Sequence, residues 1–219
     1  MICRCYATIK WFPDRVTLVN TLGSEFMEQA IAEYEENGGV LQMSLYHNYH
    51  YEMKIWLYKD LSDFRSHIKK VACKALLEAF NIKPTEASSP DEVAAHVKAC
   101  YNELWADSKF LHSENPDGTL ENFRGQALTQ TCVRAFYMGK TALAPACKEY
   151  FSKRLPSGAH VLGAVAEYES GIYQAKDLSF EDFTEMHEEL TGLYEQLKAT
   201  SEHEPILRNR CKQIAMLGW

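Results

Sequence analysis

The sequence predicts an α+β fold built from two similar units, and three observations support this prediction. Residues 51 to 70, YEMKIWLYKDLSDFRSHIKK, first alternate apolar and polar side chains and then change to helical spacing. A Lys-Asp-Leu-Ser tetrapeptide marks this change at residues 59 to 62 and recurs at residues 176 to 179, an offset of 176 − 59 = 117. The segments around both tetrapeptides fit the order strand, helix, hairpin and helix. We therefore expect one structural unit to be used twice.

The first unit is expected to span residues 1–80. Its opening residues, CRCYATIKWF, alternate like a strand, and a helix carrying Phe26 and Tyr34 then ends at the Asn37-Gly38-Gly39 stop. Residues 40–58 predict a hairpin that turns at His47-Asn48. Phe64, Ile68, Val71 and Ala75 follow at helical spacing and predict a second helix to about Phe80.

Residues 81–130 are expected to form a linker and a helical insert. Ser89, Pro90 and Glu92 have the spacing of an N-cap, a first-turn proline and a capping box. An apolar stripe of Val93, Val97, Tyr101 and Leu104 follows, which predicts an amphipathic helix over residues 90–106.

Residues 131–219 are expected to repeat the first unit. QTCVRAFYM predicts a strand, Leu143 to Phe151 a helix, and AHVLGAVAEY with IYQA a shorter hairpin. Ser179 then begins a helix with Phe183, Met186 and Leu190 on one face. The C-terminal segment from Glu204 fits either a helix or the closing strand of this unit.

Composition and charge restrict the class of partner and the compartment. A chain of 219 residues with 46% hydrophobic and 24% charged residues is typical of globular proteins. The formal net charge of -7 gives no overall attraction to nucleic acid or anionic lipid, so we expect neither as a partner. Seven cysteines without a Cys-x-x-Cys pair predict reduced thiols. The absence of a leader-like start and of a long apolar stretch predicts a cytoplasmic location.

The segment YKDLSDFRSH resembles a motif of the dimeric α+β barrel superfamily, which includes antibiotic-biosynthesis monooxygenases, haem-degrading monooxygenases and stress-responsive barrels. In that motif an aromatic residue ends the third strand, an acidic turn follows, and the next helix carries a histidine. Tyr58 matches the aromatic position and His67 the histidine, while His187 is the matching histidine of the second unit and Ala175 replaces its aromatic residue. The resemblance implies two ferredoxin-like units that form one pseudo-dimeric barrel, with the helical insertion between them.

The resemblance also implies a site in the first unit. His67 would be the catalytic base or ligand-orienting group, and Tyr58 would be its catalytic partner. Trp56, His50 and Tyr51 lie in the proposed sheet and, with His187, are the candidate ligand-binding residues. His47 and His50 would share one face of a helix, but they point to opposite faces of a strand, so we expect no metal site.

These residues predict a protein that binds a planar hydrophobic small molecule, as an oxygenase-like or haem-handling enzyme that uses either no cofactor or haem. The alternative is a non-catalytic barrel scaffold that binds a protein partner, or a second copy of itself, through the apolar stripe of the insert helix. A third alternative is that the predicted strands are helices and the chain is an all-α bundle with a haem-oxygenase-like shape.

Overall fold

A computed structural model describes residue 4 and the ranges 15–80, 82, 89–114, 117–172 and 180–219. Helices dominate these residues. Their bounds are α1 (Arg15–Thr17), a π-helical turn (Leu18–Leu22), α2 (Gly23–Glu36), α3 (Met43–Ala79), α4 (Pro90–Trp105), a 3₁₀ helix (Ala106–Leu111), α5 (Gln126–Cys132), a second π-helical turn (Val133–Tyr137), α6 (Lys148–Phe151), α7 (Ser157–Ile172), α8 (Phe180–Ala199) and α9 (His203–Gly218).

One short hairpin supplies the strands among the described residues. Strands β1 (Ser113–Glu114) and β2 (Leu120–Glu121) pair antiparallel, with Ser113 opposite Glu121. The turn between them is fixed at Asp117, whose carboxylate accepts hydrogen bonds from the backbone N–H and the hydroxyl of Thr119 at 2.9 and 2.6 Å. The hairpin follows the 3₁₀ helix and leads into α5.

Helix α7 lies at the centre of the molecule. Its side chains from Ala159 to Glu167 are buried all round, and α3, α5 and α8 pack against it. Gly163 allows the approach of α5, because a Cβ built there would lie 2.8 Å from Cys132 Sγ and 3.0 Å from Leu128 Cδ1. The hydrophobic core extends from Leu18 to Ala215.

The predicted α+β fold and the two ferredoxin-like units of a pseudo-dimeric barrel are wrong, because the described residues form a helical bundle with no larger sheet than the short hairpin. The proposed resemblance to the dimeric α+β barrel superfamily is wrong for the same reason. The opening strand falls on residues that, apart from Arg4, lie outside the described part of the chain. The unit boundaries at residues 80 and 130 stay a prediction.

The predicted hairpin over residues 40–58 is the first half of α3, a 37-residue helix. Nothing in Met43–Ala79 interrupts a helix, since this stretch contains no glycine or proline and its β-branched residues are Ile55, Ile68 and Val71. The second half buries Leu61, Phe64 and Ile68. The alternation of a few residues therefore does not produce a strand here, because the segment continues into a helix with a buried apolar stripe.

The predicted strand at QTCVRAFYM and the predicted hairpin at AHVLGAVAEY are also helical, as α5 with its π turn and as α7. A helix buried on every side carries a continuous apolar run, which spacing alone does not distinguish from a buried strand. The helix from Ser179 corresponds to α8, and the C-terminal segment is the helix α9 rather than a strand. Residues 173–175 of the predicted hairpin lie outside the described residues.

Two predictions from capping chemistry are confirmed. Helix α2 ends before Gly38, which has φ 81°. Ser89 caps α4, with its Oγ accepting from the Glu92 N–H at 3.3 Å, and Pro90 is the first helical residue. Glu92 completes the interaction by accepting from the Ser89 hydroxyl at 3.1 Å.

Cysteine state and membrane spans complete the description. Cys73, Cys100, Cys132 and Cys211 are free thiols, whereas Cys147 is disulfide-bonded, so the prediction of reduced cysteines is wrong at that position. A search of the described helices finds none with the length and apolar character needed to cross a membrane.

Candidate functional site

A buried aromatic layer formed by Phe123, His160 and Tyr194 contributes one lining residue to each of two clefts. The rings of Phe123 and Tyr194 meet edge to face with centroids 5.1 Å apart, and the His160 ring lies 5.8 Å from each of them. The three residues come from the loop before α5, from α7 and from α8. The layer therefore joins three parts of the chain, with Phe123 lining one cleft and Tyr194 the other.

The first cleft, here named the Phe123 cleft, has a volume of about 420 Å³. One wall is the 3₁₀ helix and the loop before α5, and the other is α8 with the start of α9. Its lining residues are Ser108, Leu111, His112, Asn122, Phe123, Leu190, Leu193, Gln196, Leu197, Thr200 and His203. A mostly apolar lining with a few polar groups is the usual composition of a small-molecule site.

One polar group of the Phe123 cleft is held without a partner. His112 Nδ1 is buried and makes no hydrogen bond to any residue that the structure describes. Burial lowers the pKa of His112, so its imidazole is neutral at pH 7. A neutral imidazole nitrogen donates or accepts one hydrogen bond, according to its tautomer.

The same wall carries backbone strain. Ser108 and Phe123 have φ values of 53° and 56°, a region that non-glycine residues rarely adopt. Such conformations cost of order 1–3 kcal/mol each and concentrate at ligand sites. Gly125, two residues after Phe123, allows the backbone to approach Phe110 closely. A Cβ at this position would lie 2.3 Å from the Phe110 carbonyl oxygen.

The second cleft, here named the Arg154 cleft, has a volume of about 240 Å³. Its lining residues are Tyr150, Arg154, Leu155, Pro156, Ser157, Tyr194, Lys198, Glu204, Leu207, Arg208 and Cys211. Arg154, Lys198 and Arg208 make this cleft cationic in a chain whose formal charge is -7.

A cysteine and a histidine meet at the floor of the Arg154 cleft. Cys211 Sγ lies 3.8 Å from His160 Nδ1 and 3.4 Å from the Tyr194 hydroxyl oxygen. Burial raises the pKa of Cys211 and, with the charge of Arg210, lowers the pKa of His160 to about 3. Both shifts oppose the thiolate–imidazolium form that nucleophilic cysteines need, so this pair is a neutral core contact.

A second buried polar pair lies between α5 and α7. The Thr131 hydroxyl donates to Glu167 Oε1 at 2.9 Å, and both side chains are fully buried. Burial raises the pKa of Glu167 well above its ordinary value, despite the opposing hydrogen bond from Thr131. Burial therefore favours the protonated form of this carboxyl group, which suits a structural role better than charge chemistry.

The sequence-predicted site residues of the first unit all lie on α3. His50, Tyr51 and Trp56 are on its exposed first half, where Tyr51 is 53% and Trp56 66% exposed. Tyr58 and His67 are half-buried nine residues apart on the same helix. None of these residues lines the Phe123 cleft or the Arg154 cleft. Their catalytic and binding roles stay predictions without the barrel that motivated them.

The two matched histidines are in different surroundings. His67 Nε2 is buried without a hydrogen bond to a described residue, and burial, Arg4 and Lys70 lower the pKa of its imidazole. His187 is on α8, 6% exposed, and burial lowers its pKa to about 4. Both histidines are therefore neutral at pH 7.

His47 and His50 lie on a helix, so the reason for excluding a shared face was wrong. Both rings approach Tyr46, with centroid distances of 5.7 and 6.3 Å. Across the described residues no group of three or more histidine, cysteine or acidic side chains is placed to hold a metal ion.

Sequence reasoning missed His112, Phe123 and Arg154 as site residues. The segment HSENPDGTLEN has the composition of a surface turn, and neither its histidine nor the phenylalanine that follows it carries a local sign of a cleft. Arg154 and Lys153 form a basic pair of the kind that is common near helix ends. Both clefts are completed by residues from α8 and α9. These helices are distant in sequence from His112, Phe123 and Arg154, so no local pattern predicts that they lie together.

Neither a curated protein nor a solved structure matches the chain. Residues 1–197 match the model of a protein family described as Domain of unknown function (DUF6532), which covers most of the sequence. The chain therefore belongs to the DUF6532 family.

Proposed function

We propose that this protein binds a small, planar, mostly apolar molecule in the Phe123 cleft. The observation that carries the proposal is a cleft of about 420 Å³ with apolar walls and one buried histidine nitrogen, Nδ1 of His112, that lacks a hydrogen-bond partner among the described residues. Its volume lies in the range of about 300–1,000 Å³ that is usual for small-molecule sites.

The walls define what the ligand must offer. Leu193 is 45% exposed on the open side of the cleft, and Leu111, Leu190 and Phe123 are buried beneath it. Covering exposed apolar surface contributes roughly 25 cal/mol per Å², so a flat ring system that touches both walls gains affinity from area alone. A hydroxyl or carbonyl group on that ring would pair with His112 and contribute about 1 kcal/mol more.

We propose binding rather than turnover. The lining of the Phe123 cleft contains two histidines, His112 and His203, but no described carboxylate that could act with them in proton transfer. The neighbouring Cys211–His160 pair is buried and neutral. A binding protein needs only the shape and the hydrogen bond.

A fluorescence titration with the neutral planar dye Nile red tests the proposal. Leu193→Ser removes apolar contact area from the cleft and should weaken dye binding by about tenfold. Leu217→Ser is the matched control, because Leu217 is also exposed but lies on α9 away from the lining. Equal affinities of all three proteins, or no saturable binding by the natural chain, would contradict the proposal.

The role of His112 has a test of its own. 1-Naphthol should bind the natural chain about fivefold more tightly than naphthalene, because only the naphthol can pair with His112. His112→Phe should remove this preference while keeping naphthalene binding. A preference that survives in His112→Phe would assign the hydrogen bond to another group.

The alternative of a protein partner at the insert helix is favoured by one specific observation. Helix α4 makes no extensive contact with another described element apart from the 3₁₀ turn that follows it, and Val93 is 37% exposed. The proposed partner is a second copy of the chain. Analytical ultracentrifugation should then show a concentration-dependent dimer that Val93→Glu abolishes, whereas a monomer at every concentration would reject self-association.

A further inference from the structure

We infer that the Arg154 cleft is a binding site for a compact anion that carries a phosphate group. Three cationic side chains from separate parts of the chain line this cleft: Arg154 before α7, Lys198 in the last turn of α8, and Arg208 in α9. Glu204 is the one carboxylate in the lining, so the local formal charge is 3 − 1 = +2. This concentration of positive charge contrasts with the net charge of -7 of the whole chain.

The existing ion pairs leave these cations available. Arg208 pairs with Glu204 one turn away on α9, and Lys198 pairs with Glu195 at 3.0 Å on α8. Exposed ion pairs within one helix contribute little to stability, so an anion that meets several cations together competes with these pairs effectively. No ion pair of Arg154 occurs among the described residues.

Neutral groups of the cleft suit the same ligand. Ser157 is the first residue of α7, so the unpaired N–H groups of that first turn add partial positive charge at the wall. The hydroxyl of Ser157 can donate to a phosphate oxygen. This helix end supports the inference and does not carry it, because the three cations and the cleft are independent of it.

The floor of the cleft strengthens the field of these charges. Leu155, Tyr194, Leu207 and Cys211 are buried there and exclude water from one side. Burial raises the pKa of the Cys211 thiol, and the nearby charge of Arg154 lowers this pKa by a smaller amount. A low-dielectric floor beneath cationic walls concentrates the potential on a bound anion.

Size and geometry favour phosphate over a larger anion. The volume of about 240 Å³ is below the usual range for drug-sized ligands. Two guanidinium groups offer paired N–H donors that match phosphate oxygens, and the lysine adds a point charge. Three cations are suited to a phosphate dianion, whose source is either inorganic phosphate or a small phosphate monoester.

Isothermal titration calorimetry at fixed ionic strength tests the inference, with inorganic phosphate and phenyl phosphate as the two probes. We expect saturable binding of at least one probe, weakened about tenfold or more in Arg154→Gln and in Arg208→Gln. The tighter probe identifies free phosphate or an ester as the source. Arg15→Gln is the matched control, since Arg15 is exposed, carries the same charge and does not line the cleft.

Two results would overturn the inference. One is the absence of binding heat for both probes up to 10 mM, a ceiling chosen as roughly the weakest affinity of biological use. The other is equal weakening by Arg15→Gln and by the cleft variants, which would indicate only the general charge of the protein. Circular dichroism verifies that each variant is folded. Nile red is neutral and its binding tests the Phe123 cleft separately.

Discussion

Replacing Glu167 by glutamine should stabilise the protein increasingly as the pH rises. Glu167 is fully buried on α7 and accepts one hydrogen bond from Thr131 at 2.9 Å, while its Oε2 is buried with no partner in the described part of the chain. Burial raises its pKa well above the ordinary value of 4.5. Glutamine has the same shape, cannot ionise, and keeps an oxygen that accepts from Thr131.

The sign of the effect follows from proton binding. Above the ordinary pKa the unfolded chain loses the Glu167 proton and the folded chain keeps it, so the unfolded state binds fewer protons and stability falls as the pH rises. The slope is about 1.4 kcal/mol per pH unit between the unfolded and folded pKa values. The stability advantage of Glu167→Gln should therefore be larger at pH 6.5 than at pH 5.5, by at most about 1.4 kcal/mol.

Urea unfolding followed by circular dichroism at 222 nm measures this difference at both pH values. Glu78→Gln is the matched control, because Glu78 lies on the surface and its hydrogen bond with Arg134 lowers its pKa. The control should show no such growth between these two pH values, because the lowered pKa of Glu78 confines its own effect on stability to pH values below its ordinary pKa of 4.5. If the free energies of unfolding of the natural chain and of Glu167→Gln changed equally with pH, the raised pKa of the buried Glu167 carboxyl group would be refuted.

Three further outcomes are expected. In urea unfolding, Gly163→Ala should destabilise the protein by about 1–3 kcal/mol, because the added Cβ would lie 2.8 Å from Cys132 Sγ. Gly192→Ala has open space around it and should stabilise α8 by about 0.5–1 kcal/mol. Equal effects of the two substitutions would contradict the packing of α5 on α7. Ser89→Ala should weaken the start of α4 by about 1 kcal/mol, measured as faster amide exchange in its first turn, and unchanged exchange would argue against the cap. Iodoacetamide at pH 8 should modify the exposed Cys73 in the native protein. It should modify Cys132, whose pKa is raised by burial, only after urea unfolds the chain. If mass spectrometry found both cysteines modified at the same rate, the burial of Cys132 would be contradicted.

The elements predictable from sequence were those fixed by local backbone chemistry. Ser89, Pro90 and Glu92 specify a helix start within four residues, and Asn37-Gly38-Gly39 specifies a helix end. Each signal acts through hydrogen bonds or a positive φ that neighbouring residues determine by themselves. Tertiary structure has little influence on such positions.

The strand predictions failed where tertiary packing decides between two local patterns. The alternation from Tyr49 to Leu57 also fits a helix, and the buried stripe of Leu61, Phe64 and Ile68 extends that helix through it. In α7 the apolar run reflects burial by neighbours on every side, which is a property of the whole bundle. The Lys-Asp-Leu-Ser tetrapeptide at residues 59–62 lies inside α3, and its recurrence at residues 176–179 lies outside the described residues.

The candidate site was beyond the reach of sequence because its two walls are distant in the chain. Ser108 to Phe123 form one side of the Phe123 cleft, and Leu190 to His203 form the other. Neither segment has a catalytic or ligand motif. The strained backbone of Phe123 is likewise imposed by packing, since its sequence neighbours Asn122 and Arg124 give no turn signal that requires a positive φ.

The most direct test of the account is a methyl NMR titration of leucine-labelled protein with Nile red. We predict chemical-shift changes at Leu111, Leu190, Leu193 and Leu197, which line the Phe123 cleft, and unchanged methyl signals at Leu61, in the core on the second half of α3. That result would place a planar apolar ligand in the proposed site. Changes confined to leucines outside the cleft lining, or none at saturating dye, would contradict the account.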